Sequence, residues 1–290
     1  MDNRAAKTAL DPMVIVAVEQ NFPQGCRLIR DDVAYRFLPL GLRLLVKLTR
    51  FSPIRGLLIW SSERRARGVW GGIASRKRYI DDRLTEALGS GTDAVVNLGA
   101  GLDTRAYRLP ALSTLSVFEV DLPENIAHKR HVLRQVYGKI PDHVTLVPLD
   151  LEHQDLESVL TSHGYQIQQK SFFIWEAVTQ YLTERGVRKT FSFLAKANPG
   201  SKLVFTYIRK DFIDGVASYG SGALYEAFRV EEQLWRFGMV PEQVGAFLND
   251  YDWKELEQAG SNEYIAQYVK PSGRPLPISE IERAVYAEKI

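Results

Sequence analysis

From residue 94 the chain alternates short β-rich runs with stretches of helical length, and this pattern limits the fold more than any other feature. The runs are AVVNL (94–98), SVFEVD (116–121), VTLVPLD (144–150), FFIWE (172–176) and KLVFTYI (202–208). Helical segments between them include ENIAHKRHVLRQVY (124–137) and ERGVRKTFSFLAKA (184–197), the second stopped by Asn198-Pro199-Gly200. Strands separated by helices cannot pair as hairpins. They pair in parallel, with helices covering both faces, and so read as near-continuous apolar runs. Two later strands are predicted at EYIAQYV (263–269) and ERAVYAEK (282–289). Residues 1–90 read as helical, broken at Pro23, Pro39, Pro53 and Gly71–Gly72. DGVASYGSGALYEAF (214–228) is glycine-rich and aromatic, and reads as a mobile loop entering a helical insert. The expected organisation is a helical segment (1–90) covering the site and an α/β domain (91–290) with a cap insert at about 210–260.

The first strand runs into VVNLGAGLDTRAYRL (95–109). Ligands of open α/β sheets sit outside the carboxyl ends of the strands, and Gly99 and Gly101 suit a turn where backbone meets a ligand. A dinucleotide fingerprint needs a third glycine, and this turn continues instead as Leu102-Asp103-Thr104. A carboxylate at the helix start repels a pyrophosphate and tolerates a sulfonium, or it caps the helix. Asp121, closing FEVD on the next strand, is placed to accept hydrogen bonds from ribose hydroxyls, with Glu119 two residues earlier as a helper. Asp150 can accept from an adenine amino group while Leu151 packs on its ring. Glu176 ends the fourth strand, where it can hold an ammonium group.

VVNLGAGLDTRAYRL, VFEVDLP, LVPLDL and FFIWEAVTQYL together resemble the leucine carboxyl methyltransferase-like family of class I S-adenosylmethionine (SAM)-dependent methyltransferases. That family includes protein phosphatase C-terminal leucine methylases and bacterial polyketide carboxyl O-methylases. The resemblance runs from about residue 70 to the end. It implies a Rossmann-like, mostly parallel seven-stranded sheet with helices on both faces, a helical N-terminal segment and a helical cap insert. It also implies SAM as cofactor, held by Gly99, Gly101, Asp103, Asp121, Asp150, Leu151 and Glu176. ASRKRYIDD resembles the family segment whose arginine pairs with the SAM carboxylate, and Arg76 is the matching position, with Arg78 its neighbour. Some members add an N-terminal lysine. Lys7 is conceivable for that role, though the local match does not place it. LWRFGMVPEQVGAFL (234–248) resembles the region in which members differ and select substrates.

The implied reaction is methyl transfer to an acceptor, most simply a carboxylate, which is ionised at neutral pH and needs no base. Tyr181, Tyr207 and Arg209 are the candidate donors to that acceptor, and Tyr219, Tyr225, Phe228 and Trp235 the candidate apolar lining. The acceptor would be a small molecule, a natural product or a peptide C-terminus. A dinucleotide-dependent oxidoreductase and a noncatalytic SAM-binding protein are the alternatives. A net charge of +2 gives no basic surplus for a nucleic acid. The apolar stretch 38–60 is interrupted by Arg43, Lys47, Arg50 and Arg55, so it reads as amphipathic helices rather than a membrane span, with peripheral membrane contact the lesser reading. Cys26 is the only cysteine, which suits a reducing, cytoplasmic setting. His128 and His131 have helical spacing without a third ligand, so no metal site is expected.

Overall fold

A computed structural model describes residues 10–290. Helices lead: α1 (Leu10–Glu19), α2 (Leu40–Leu48), α3 (Ser52–Arg65) and α4 (Val69–Leu88). Strands and helices then alternate through β1 (Ala94–Leu98), β2 (Ser116–Asp121), α5 (Pro123–Tyr137), β3 (Val144–Pro148), α6 (Leu156–Ser162), β4 (Ser171–Trp175), α7 (Glu184–Leu194) and β5 (Lys202–Ile208). The chain ends with β6 (Trp253–Ala259) and β7 (Glu282–Lys289).

Local chemistry sets the helix ends. Pro123 opens α5, where its missing N–H costs nothing, and Gly138 closes it at φ +77°. Asp155 caps α6 by accepting from the Ser158 N–H at 2.8 Å, and Thr183 caps α7 from the Gly186 N–H at 3.1 Å.

The seven strands form one sheet in the order β3-β2-β1-β4-β5-β7-β6. β1 to β5 are parallel, and β7 lies antiparallel between β5 and β6. Successive side chains feed opposite cores, as the period of two requires. Val95, Val117, Phe172, Ile174 and Val204 face the core built with α1, α4 and α5. Val96, Phe118, Phe173, Trp175 and Phe205 face the core built with α6 and α7. Both faces being covered explains why the central strands lack polar alternation.

Of the two late strands, ERAVYAEK is β7 with the bounds read from the sequence, and the other needs correction. EYIAQYV is helical: Ser261–Tyr264 continues into a wide turn, Ile265–Val269. The Glu263 carboxylate accepts from the Gly260 N–H at 2.7 Å, and this start signal outweighs β propensity. The strand lies earlier, at WKELEQA, inside the interval expected for the cap. As an edge strand with one solvated face it carries charge instead of an apolar run, so its sequence does not read as a strand. The insert thus occupies residues 210–252 and holds short helical pieces, among them Lys210–Ile213, Gly222–Tyr225 and Val244–Asn249.

The sheet order reverses between β1 and β4, and the β1 turn opens there. Gly99 has φ +76°, and a Cβ on it would stand 2.2 Å from Val178 Cγ2. Gly99→Ala should therefore cost more than about 1 kcal/mol in urea unfolding. Adding Val178→Ala should recover the collision but leave the backbone cost.

Candidate functional site

A cavity of about 550 Å³ opens over the carboxyl ends of β1 to β4. Every strand tip supplies a lining residue: Gly99 and Gly101 after β1, Asp121 at β2, Asp150 and Leu151 after β3, and Glu176 after β4. The opposite wall is one face of α4, presenting Val69, Gly72, Ile73, Arg76 and Lys77 at helical spacing. The first turn of α4 passes close to the 276–279 segment: a Cβ on Gly71 would meet Pro277 O at 2.5 Å.

The glycine turn is pinned to β2. Gly99 and Ala100 N–H both donate to Val120 O, at 2.8 and 2.9 Å. Gly101 N–H donates to Asp121 Oδ2 at 2.6 Å. The other Asp121 oxygen accepts from Leu122 N–H and Asn125 Nδ2, each at 2.7 Å. Glu119, expected to assist, does not line the cavity. It is buried on Lys129 at 2.8 Å and accepts from the Tyr107 hydroxyl. Lys129 also reaches Ala100 O at 3.4 Å, so this pair props the turn from beneath. Asp150 accepts from the Glu152 N–H at 2.9 Å and meets His153 Nδ1 at 2.8 Å. Burial pushes Asp150 up, but the His153 and Glu152 contacts outweigh it and leave the carboxyl below its ordinary value.

The far end of the acidic row is an ionic knot. Glu176 accepts from Arg76 Nε at 2.8 Å and Arg105 Nη1 at 2.8 Å, with Lys77 Nζ 3.3 Å away. Arg76 also binds Glu282 at 2.5 Å. Arg105 adds Asp81 at 2.7 Å and Asp103, and Arg108 extends the chain from Asp81 at 2.7 Å to Asp31 at 3.3 Å. Arg105 was not singled out in the sequence, although it stands two residues past Asp103 in the glycine motif. Asp103 takes the Arg105 backbone N–H at 2.8 Å, so it caps the turn while lining the cavity. Burial would raise Asp103, but Arg105 and then Lys77 prevail and hold it down to about 2. Burial likewise opposes Glu176 ionisation, yet Lys77, Arg105 and Arg76 keep its carboxyl well below the usual range. Arg78 instead pairs with Asp82 at 2.8 Å, half-exposed. Lys7 lies outside the described residues.

The other end of the cavity is apolar. Tyr181, Ile208, Leu224, Phe228, Trp235 and Ile281 line it. Phe228 and Trp235 stack with ring centroids 4.9 Å apart. Tyr219 and Tyr225 do not line it: the Tyr219 hydroxyl donates to Asp211, and Tyr225 packs on Phe212 at 5.7 Å. Two expected donors are also misplaced. Tyr207 is fully buried in the core facing α7, and its hydroxyl donates to Gln258 Oε1 at 2.8 Å. Its side chain enters that core and does not line the cavity. Arg209 lies outside the cavity and pairs with Asp211 at 3.0 Å. Arg236, unremarked in the sequence, is an exposed cation that does line it. Among the described residues no His/Cys/Asp/Glu cluster could hold a metal, and no helix is long and apolar enough to cross a membrane.

The leucine carboxyl methyltransferase model matches residues 9–195, and the chain belongs to that family of SAM-dependent methyltransferases. A relative from Mycolicibacterium gilvum, provisionally named a SAM-dependent methyltransferase, is 34% identical over 224 residues, covering 75% of this chain and 70% of its own. One from Mycobacterium sp. strain JLS, with the same provisional name, is 31% identical over 70% of this chain. This chain spans 61% of the length of that relative. The fold is shared at a TM-score of 0.54 and 13% identity with the crystal structure of a possible exported protein from Bordetella parapertussis, covering 98% of this chain and 96% of that one.

The ionic knot predicts a pH response. Asp103 stabilises the folded chain above about pH 3.8, its ordinary value, and this contribution fades as pH falls toward about 2. The thermal midpoint should drop through that window, and Asp103→Asn should flatten the drop. Glu176→Gln removes the one carboxylate shared by Arg76, Lys77 and Arg105, and should cost roughly 3–5 kcal/mol in urea unfolding.

Proposed function

We propose that the protein transfers a methyl group from SAM to a carboxylate of a small molecule, natural product or peptide C-terminus. One observation carries the reading: a cavity acidic along the strand tips and apolar beyond them. Its Asp11, Asp103, Asp121, Asp150, Glu152, Glu176 and Glu282 outnumber Arg76, Lys77 and Arg236. That lining suits a nucleoside bearing positive charge and opposes a diphosphate at the glycine turn.

The residues fit the cofactor part by part. Gly99 and Gly101 let backbone approach it. Asp121 receives the ribose hydroxyls, Asp150 the adenine amino group, and Leu151 packs on the ring. The amino-acid end is both cationic and anionic, and the knot offers both complements: Glu176 for the ammonium, and Arg76 with Lys77 for the carboxylate. Bound there, SAM supplies an electrophilic methyl on a sulfonium.

Tyr181 and Arg236 line the cavity and are candidate donors to the acceptor carboxylate, whereas Tyr207 and Arg209 lie elsewhere. The acceptor oxygen forms the new bond to the methyl carbon as the carbon–sulfur bond breaks, leaving an ester and a thioether with no proton to remove. An ionised carboxylate therefore needs no base, whereas a phenol, with a pKa near 10, would need one. The chain's task is alignment and water exclusion, which can lower a barrier by about 7–11 kcal/mol. Phe228 and Trp235 close the apolar end against water.

Calorimetry should detect SAM and S-adenosylhomocysteine but not NAD. NAD binding without SAM binding would support an oxidoreductase instead. Asp121→Ala should weaken SAM binding at least about tenfold, the scale of one lost charge-assisted hydrogen bond. Labelled-methyl transfer into a metabolite or peptide extract should yield base-labile esters. SAM binding with no transfer to any extract would indicate a noncatalytic binder.

A further inference from the structure

The N-terminal helices carry a surface that the cavity chemistry does not use. α2 exposes Leu40, Leu44 and Leu48, one stripe at i, i+4 and i+8, with Leu40 81% accessible. The stripe continues through Phe51 to Leu57 and Trp60 on α3, at 64%, 63% and 55%. α3 buries no residue fully. Scattered exposed apolar side chains are ordinary, but a run of them on two consecutive helices marks a contact surface.

Charge identifies the partner. Residues 33–67 hold Arg36, Arg43, Lys47, Arg50, Arg55, Arg64, Arg65 and Arg67 against the single acid Glu63. Lys47, Arg50, Arg64, Arg65 and Arg67 are exposed. Arg64 lies over the Trp60 ring at 5.0 Å, keeping cation and aromatic together at the surface. Beside α2 an open cleft of about 580 Å³ is lined by Arg36, Arg43, His128 and His131, with no acidic side chain among the described residues. Arg36 and Arg43 donate there to the backbone carbonyls of Val136 and Leu38, at 2.6 Å each, rather than to any carboxylate among the described residues. A second copy of the chain on this face would set like charges against like charges. A nucleic acid would satisfy the cations and leave the leucines in water. An anionic bilayer satisfies both, with apolar side chains at the acyl boundary and cations at the headgroups.

We propose that α2 and α3 dock the protein on an anionic phospholipid surface. The association is peripheral, since no described helix spans a bilayer. It does not depend on the reaction proposed for the cavity.

Co-sedimentation of the full chain with phosphatidylcholine vesicles, with and without phosphatidylglycerol, tests this. The expected result is binding to the anionic vesicles alone, weakening as salt rises. Lys47→Gln with Arg50→Gln should lower partitioning about thirtyfold, from about 1 kcal/mol per basic side chain at the surface and tenfold per 1.36 kcal/mol. Leu44→Glu, at an exposed site that spares the fold, should also reduce binding, while calorimetric SAM affinity in solution stays unchanged. No binding to anionic vesicles at low salt would overturn the proposal. So would equal binding to neutral vesicles, or a concentration-dependent dimer that Leu44→Glu dissolves in a chain indifferent to lipid.

Discussion

The Glu176 carboxylate is the contact on which the site depends. It gathers Arg76 and Lys77 from α4 and Arg105 from the glycine turn, so a helix from the N-terminal segment and the β1 loop meet at the end of β4. Each of these charges loses hydration on burial, and buried ion pairs rarely repay that loss in net stability. Their return is geometric. With three cations converging on one carboxylate, α4 has one rotation about its axis that satisfies them, and that rotation also turns Val69, Gly72 and Ile73 into the cavity wall.

A second buried pair works in the same way from below. Lys129 on α5 and Glu119 on β2 are both inaccessible, and Lys129 reaches the Ala100 carbonyl. Asp121 grips the same turn from above through the Gly101 N–H. The turn is thus held between two carboxylates of one strand, two residues apart and on the same face by period. Only Asp121, at the strand's end, remains in reach of the cavity. Glu119 serves the turn rather than a ligand, a division that follows from depth along the strand.

The first five strands were legible because burial on both faces leaves an unmistakable apolar signature. β1, β2 and β5 have the limits read from their residues. The places of Asp121, Asp150 and Glu176 at strand ends were legible for the same reason, since each closes or follows an apolar run. The edge of the sheet was not legible: β6 carries Lys254, Glu255 and Glu257 because one of its faces meets water, while the apolar EYIAQYV packs as a helix. Arg105 went unseen because its role arises from partners 24 and 71 residues away, at Asp81 and Glu176. Tyr207 and Arg209 lie outside the cavity because nearness to a strand end does not fix where a side chain goes.

Composition also concealed how charge is arranged. A net charge of +2 suggests no electrostatic specialisation, yet it sums an acid-lined cavity and a basic N-terminal helical surface. The two are joined through α4. Its entry at Gly68 follows Arg64, Arg65 and Arg67 directly, and two turns later it delivers Arg76 and Lys77 to Glu176. Cations just before this helix, Arg64, Arg65 and Arg67, face solvent, whereas Arg76 and, less completely, Lys77 within it are buried against Glu176. The same residue types therefore serve opposite ends: desolvated and matched, they fix geometry within the site; hydrated and unmatched, they remain available to an external anionic surface. Only the fold, by deciding which stretches of the N-terminal helices are covered, separates these uses.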